Sequence, residues 1–232
     1  METVEGPEAG MQSIKQGGVV VPFGSTEWHR DLPLETDSLI AEAIAARVGE
    51  ALSFRVLPVE RVGFSIEHRM FEGTKTLDAP GFLEMATEAV RSAASQARVV
   101  LVVNGHGGNS GLLEAACRTV RAELPSSKVF ILEVWSAVDS LLSDLLGEGF
   151  RAAHAGVAEA SLLFACRPEL VPTRRPVEGL SASRRRPSWL TKRVWLATDL
   201  DTGEMEGYDP ALGERLLSRL VSRTCEELLT RA

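Results

Sequence analysis

The chain has 232 residues, 44% of them hydrophobic, and a formal net charge of −7. That length suits a single domain spanning 1–232, with a core large enough to stand without disulfide or metal staples. The acidic balance argues against general nucleic-acid binding, which works by neutralising phosphates, and no apolar run approaches the roughly 20 residues of a membrane span.

Met1 to Glu8 is acidic and lacks the basic-then-apolar order of a signal peptide. Cys117, Cys166 and Cys225 are odd in number and far apart, which fits reduced thiols in a cytoplasmic protein. Short β-branched runs at 18–23, 55–59, 99–103 and 129–134 predict strands. The unbroken apolar character of Val99 to Val103 suits a central strand covered on both faces. Helical spacing of Ile, Leu, Ala and Val runs over 36–51, 79–97 and 110–123. It returns over 156–166 and 209–229, where Pro210 suits a first helical turn. Strands alternating with helices imply a layered α/β domain with a mainly parallel sheet. The segment Arg174 to Arg193 is basic and rich in Pro and Ser; it reads as an irregular excursion from the sheet.

All four histidines fall in polar clusters rather than in apolar runs. Two of those clusters follow strands directly: Glu27 and His29 come after the first, and His106 comes after the third. Ligands in open α/β sheets bind beyond the carboxyl ends of strands. Glu27 and His29 are two residues apart, so on extended chain they project to the same side. With Asp37 at the start of the next helix, and with His106, they form a mixed nitrogen and oxygen donor set suited to zinc, manganese or iron. Asp37 has a plainer reading too, as a helix cap assisted by Thr36. In Asn104-Gly-His-Gly-Gly-Asn109, glycines flank the histidine where the backbone bends and a metal must approach. The N–H groups of Gly107 and Gly108, ahead of a helix, are placed to stabilise a developing oxyanion on a substrate. His154 and Glu159 open another helix, where Glu159 could equally cap it and His154 stand at the surface. Ser65, Glu67 and His68 are weaker candidates for the site, and Trp28 and Trp135 either line a pocket or pack.

Together these clusters resemble the creatininase (creatinine amidohydrolase) family. The resemblance rests on Gly24-Ser-Thr-Glu-Trp-His29 with Leu32-Pro-Leu-Glu-Thr-Asp37, and on Gly63-Phe-Ser-Ile-Glu-His-Arg-Met-Phe-Glu-Gly-Thr74. Asn104 to Asn109 and His154-Ala-Gly-Val-Ala-Glu-Ala-Ser161 complete it. It implies a three-layer α/β/α sandwich, a homo-oligomer and a dinuclear metal hydrolase acting on small-molecule amides. Glu27 and His106 would bind one metal, His29 and Glu159 the other, and Asp37 would bridge them; zinc is the first expectation, with manganese or iron as alternatives. A metal-bound hydroxide would attack the amide carbon, His154 would protonate the leaving nitrogen, and Ser65, Gly107 and Gly108 would bind substrate.

The segment from His29 to Leu34 is one residue shorter than the family pattern, with Arg30 and Asp31 where a second histidine is usual. This points away from creatinine itself. The expected reaction is hydrolysis of a non-peptide C–N bond in an amide, formamide or cyclic amide. A formamidopyrimidine nucleotide is one candidate, favoured by the basic segment because guanidinium groups bind phosphate well. The alternatives are a peptidase of the mycofactocin-precursor type and a non-catalytic, metal-bound family member.

Overall fold

The computed structural model describes residues 17–172 and 207–231; the basic segment 174–193 and the acidic start of the chain lie outside the described residues. The strands are β1 (Gly18–Phe23), β2 (Arg55–Val56), β3 (Val99–Asn104) and β4 (Lys128–Glu133). All neighbours are parallel, in the order β2-β1-β3-β4. Parallel neighbours need crossovers, and here the crossovers contain helices. These are α1 (Thr36–Leu52), α2 (Ala79–Ala94) and α3 (Ser110–Glu123); α4 (Val134–Leu146), α5 (Val157–Cys166) and α6 (Pro210–Arg231) follow the last strand.

Alternation along the strands sorts the core into two halves. Val20, Leu101 and Val103 face Ile40, Ile44, Leu141, Leu162 and Leu216 of α1, α4, α5 and α6. Val19, Val21, Phe23, Val100 and Val102 face Phe82, Val90, Leu113 and Val120 of α2 and α3. The result is the expected three-layer sandwich, with β1 and β3 buried on both sides. No helix among the described residues is long and apolar enough to cross a membrane.

Several boundaries differ from the sequence expectation. The second strand stops at Val56, because Pro58 has no N–H for the ladder. Pairing resumes past it, where Glu60 N–H reaches the Pro22 carbonyl at 2.9 Å. The second helix ends at Ala94 rather than at 97. The helix α4 was not expected at all: Glu133 ends a strand and caps a helix at once, so no glycine or proline marks the change. Val134, read as the end of a strand, is the first residue of that helix. The free cysteines lie in or beside helices, and burial pushes the Cys117 thiol up to about 12.

The fold brings the two motif-bearing strand ends level. Phe23 and Asn104 are register partners at the ends of β1 and β3. The first turn of α1 drops between the loops that follow them. Gly105 permits this approach, since a Cβ there would lie 2.4 Å from the Asp37 carbonyl oxygen.

Candidate metal centre

Five side chains converge beyond the strand ends. Glu27 and His29 come from the loop after β1, Asp37 from the first turn of α1, His106 from the loop after β3, and Glu159 from the first turn of α5. All are at least nine-tenths buried, with exposures between 0% for His29 and 4% for His106. Asp37 is not a helix cap. Glu35 occupies the cap position, Thr36 Oγ1 donates to the Pro33 carbonyl, and the Asp37 carboxylate turns inward. Its place in the first turn is electrostatically favourable for a carboxylate.

The donors form two groups that share Asp37: Glu27, Asp37 and His106 in one, and His29, Asp37 and Glu159 in the other. In the first, His106 Nδ1 lies 3.3 Å from Glu27 Oε1 and 3.0 Å from Asp37 Oδ2. In the second, His29 Nε2 is 3.5 Å from both Asp37 Oδ1 and Glu159 Oε1. Ligands about 2.1 Å from a common tetrahedral ion stand about 3.4 Å apart, so these separations fit donors arranged around ions. Glu27 Oε2, His29 Nε2 and Asp37 Oδ1 are buried without a hydrogen-bond partner. Buried polar atoms are nearly always satisfied, and three such atoms within one cluster fit residues shaped to hold divalent metal.

The neighbours orient these ligands. His29 Nδ1 donates to the Glu27 carbonyl at 2.9 Å, leaving Nε2 to face the carboxylates. His106 Nε2 donates to the Phe64 carbonyl at 3.0 Å, leaving Nδ1. His154 Nε2 donates to the Trp28 carbonyl at 2.9 Å, and its Nδ1 lies 3.9 Å from Glu27 Oε1. Fixing one ring nitrogen on a main-chain carbonyl selects which nitrogen can bind metal. Ser25 Oγ donates to Asp37 Oδ2 at 2.9 Å. The Ala155 N–H, two residues ahead of α5, donates to Glu159 Oε2 while Oε1 faces the cluster; Gly156 holds the cap position and no side chain caps the helix, so the capping reading of Glu159 is not realised. Ala155 itself has a left-handed backbone, φ 51°, at the turn that aims this N–H.

Electrostatics agree with this picture. Burial raises the Glu27 and Asp37 carboxyls, but the imidazoles beside them, His106 for Glu27 and His29 for Asp37, outweigh it and hold both well below the usual range. Burial pulls His29 and His106 down, yet the carboxylates overcome it and hold both imidazoles well above their ordinary value. Without metal the cluster therefore recruits protons as its positive charge. Burial pushes His154 downward instead, with the Glu159 carboxylate opposing.

A cavity of about 370 Å³ opens onto this cluster, with Gly107, Gly108, Glu67, His68, Trp135 and His154 in its wall. Gly108 has no room for a side chain, since a Cβ would lie 2.2 Å from the Phe64 oxygen and 2.4 Å from His106 Nε2. Ser65, expected to touch substrate, is fully buried behind His106, with Oγ 3.2 Å from Nε2; it supports that ring and is not part of the cavity wall. The shortened segment closes as a tight turn, with Leu32 N–H donating to the His29 carbonyl at 3.0 Å and Arg30 at φ 56°. Arg30 and Asp31 are exposed outside the cavity wall. Of the tryptophans, Trp135 lines the cavity, whereas Trp28 stacks on Phe71 at 4.3 Å. Sequence reasoning gave little weight to Glu67 and His68, although a carboxylate and an imidazole side by side after a glycine-led turn were the available signal.

Comparison with known proteins agrees with the fold and with the family resemblance. A family model described as "Creatininase: Creatinine amidohydrolase" matches residues 3–228. A mycofactocin precursor peptide peptidase of Mycolicibacterium smegmatis is 31% identical over 220 residues, 90% of this chain and 83% of the relative. One of Mycobacterium ulcerans is 36% identical over 174 residues, 71% of this chain but only 64% of the relative, just under two thirds of its length. Solved structures of creatininase, one of them a manganese form, overlay with a TM-score of 0.74 at 22% identity, covering 97% of this chain and 95% of theirs.

Proposed function

Because the chain belongs to the creatininase (creatinine amidohydrolase) family, we propose that it is a peptidase of the mycofactocin-precursor type, dependent on two divalent metal ions. The observation that carries this reading is the 31% identity to such a peptidase across 90% of the chain. The motifs alone led to a non-peptide C–N bond as the expected target; the relatives support a bond within a small, modified peptide instead. A cavity of about 370 Å³ is at the small end of ligand pockets and suits the few residues around one scissile amide. The phosphorylated substrate foreseen from the basic segment finds no support in this wall, which carries no lysine or arginine among the described residues.

In this reading Glu27 and His106 would hold one ion, His29 and Glu159 would hold the other, and Asp37 would serve both. Bound there, the ions supply Lewis acidity toward the carbonyl and water made acidic enough to be deprotonated near neutral pH. Zinc is the first candidate and manganese the second, since mixed imidazole and carboxylate sets accept either. The protein's own groups do the rest. Gly107 and Gly108 offer backbone N–H groups to the carbonyl oxygen. His154, anchored through Nε2, carries a proton on Nδ1 between the cluster and the substrate nitrogen. In the net reaction the oxygen of water joins the carbonyl carbon and the C–N bond breaks. Both water protons end on the nitrogen, giving a carboxylate and an ammonium.

The test is a screen of the protein loaded separately with zinc, manganese or iron against short peptides, formamides, cyclic ureides and creatinine. Peptide cleavage is expected, abolished by chelator and restored by metal. Turnover of creatinine or a formamide faster than any peptide would overturn the peptidase reading.

A further inference from the structure

His68 stands apart from the other three histidines. It is 2% exposed, yet neither ring nitrogen donates to a main-chain carbonyl. Its Nδ1 lies 3.1 Å from Glu27 Oε2 without the alignment of a hydrogen bond, and neither Nδ1 nor Nε2 has a hydrogen-bond partner. With the ring proton on the nitrogen that lies beside this carboxylate, Nε2 is an acceptor. Next to it in the cavity wall is Glu67, half-buried, whose carboxylate has no hydrogen bond or ion pair among the described residues. One oxygen of Glu67, one of Glu27 and a ring nitrogen of His68 lie within 4.8 Å of one another.

This pair is held in place rather than left to drift. Phe64 N–H donates to Asn109 Oδ1 at 2.8 Å, and Ser65 N–H donates to Thr76 Oγ1 at 2.8 Å. The Phe64 carbonyl is tied in turn to His106. The 3₁₀ turn Ile66–His68 follows directly. Glu67 Oε1 comes within 3.0 Å of where a Gly108 side chain would begin, so the carboxylate overhangs the glycines of the cavity floor.

The two side chains thus present acceptors and no donor, against a wall without lysine or arginine among the described residues. What fits is a group rich in N–H. In an amide substrate the carbonyl oxygen is itself an acceptor. The nitrogen, one bond of about 1.33 Å from the reacting carbon, is the donor of the scissile group. Hydrolysis turns that single N–H into the three of an ammonium, so acceptors placed there bind more strongly as the bond breaks. Resting on the peptidase reading above, we propose that Glu67 and His68 form the pocket for the departing nitrogen. The substrates are accordingly amides that carry an N–H at the scissile bond; N-alkylated amides, prolyl bonds among them, leave both acceptors buried and unpaired and are rejected.

The test uses the metal-loaded protein and its isosteric Glu67→Gln variant. Binding of n-butylamine is measured by calorimetry. In parallel, the best peptide from the screen is compared with its counterpart methylated at the scissile nitrogen. The wild type is expected to bind butylamine and to prefer the N–H peptide by at least about 100-fold in kcat/KM. In Glu67→Gln the metal content is unchanged, butylamine binds about tenfold more weakly, and the preference collapses because only the N–H peptide slows. Unchanged amine affinity and unchanged preference would overturn the pocket. So would loss of a third ion on substitution, which would make Glu27, Glu67 and His68 a metal site. If the wild type cleaves no peptide but Glu67→Gln still loses the amine, the peptidase reading fails and the pocket stands.

Discussion

The two donor groups that share Asp37 are built from different materials. Glu27 and His106 hang from the ends of adjacent central strands, whose ends are level because Phe23 pairs with Asn104. Asparagines brace this end of the sheet: Asn109 Nδ2 links the two loops by donating to the Gly24 carbonyl at 3.0 Å, and Asn104 Nδ2 ties the end of β3 to β4 by donating to Glu133 Oε2 at 2.7 Å. His29 and Glu159 meet across a much longer stretch of chain. Glu159 arrives on the short helix α5, aimed by one N–H from a left-handed turn. The first group is thus fixed by the sheet, and the second by the docking of a late helix. The first ion should accordingly bind the more tightly, since preorganised donors lose less on binding.

The sharpest way to break that contrast is to remove one imidazole from each group. His106→Ala should leave one ion per chain and lower kcat/KM about 1,000-fold or more. His29→Ala should also leave one ion, with the survivor held as tightly as in the wild type. Metal analysis after dialysis against graded chelator checks both, and equal losses from the two groups would erase the distinction. Gly108→Ala comes next: its Cβ would strike the Phe64 oxygen and the His106 ring, costing about 1–3 kcal/mol of stability and most of the activity. Gly107, with open space around it, should accept alanine with little change in thermal unfolding.

A third prediction concerns pH. In the metal-free chain His29 and His106 are held above the ordinary 6.5, so their contribution to stability is whole below that pH and fades as pH rises through their elevated values. Glu27 and Asp37 are held below the ordinary 4.5 and 3.8, so theirs is whole above those values and fades on acidification. The metal-free protein should therefore be most stable between about pH 5 and 6.5. Bound metal replaces the protons, so the gap in melting temperature between loaded and metal-free protein should widen with pH above 6.5. A gap constant from pH 6 to 9 would count against imidazole ligation. The smallest effect expected is for Ser25→Ala, which removes a hydrogen bond to Asp37 and should weaken metal binding about tenfold.

The sequence made the same contrast visible. Strand cores such as Val99 to Val103, and the residues just beyond them, could be read because β-branched runs and glycine turns mark strand ends in the chain itself. Glu27, His29, Asp37 and His106 followed from that local logic. Glu159 did not: its spacing alone allowed a helix cap, and only the family resemblance made it a ligand. In the structure one oxygen faces His29 and the other accepts the Ala155 N–H ahead of the helix, so Glu159 does not cap it. The helix α4 escaped because a strand runs into it without punctuation. Glu67 and His68 stayed weak candidates because their meaning depends on what they lack, a hydrogen-bond partner, which no sequence pattern displays.

The central claim is that one carboxylate, Asp37, joins two metal sites. Metal stoichiometry by mass spectrometry of the intact, non-denatured protein tests it most directly. The account predicts two ions per wild-type chain and a loss of both, or retention of no more than one weakly held ion, in Asp37→Ala. A wild type that takes up a single ion, or an Asp37→Ala variant that keeps two, would contradict it.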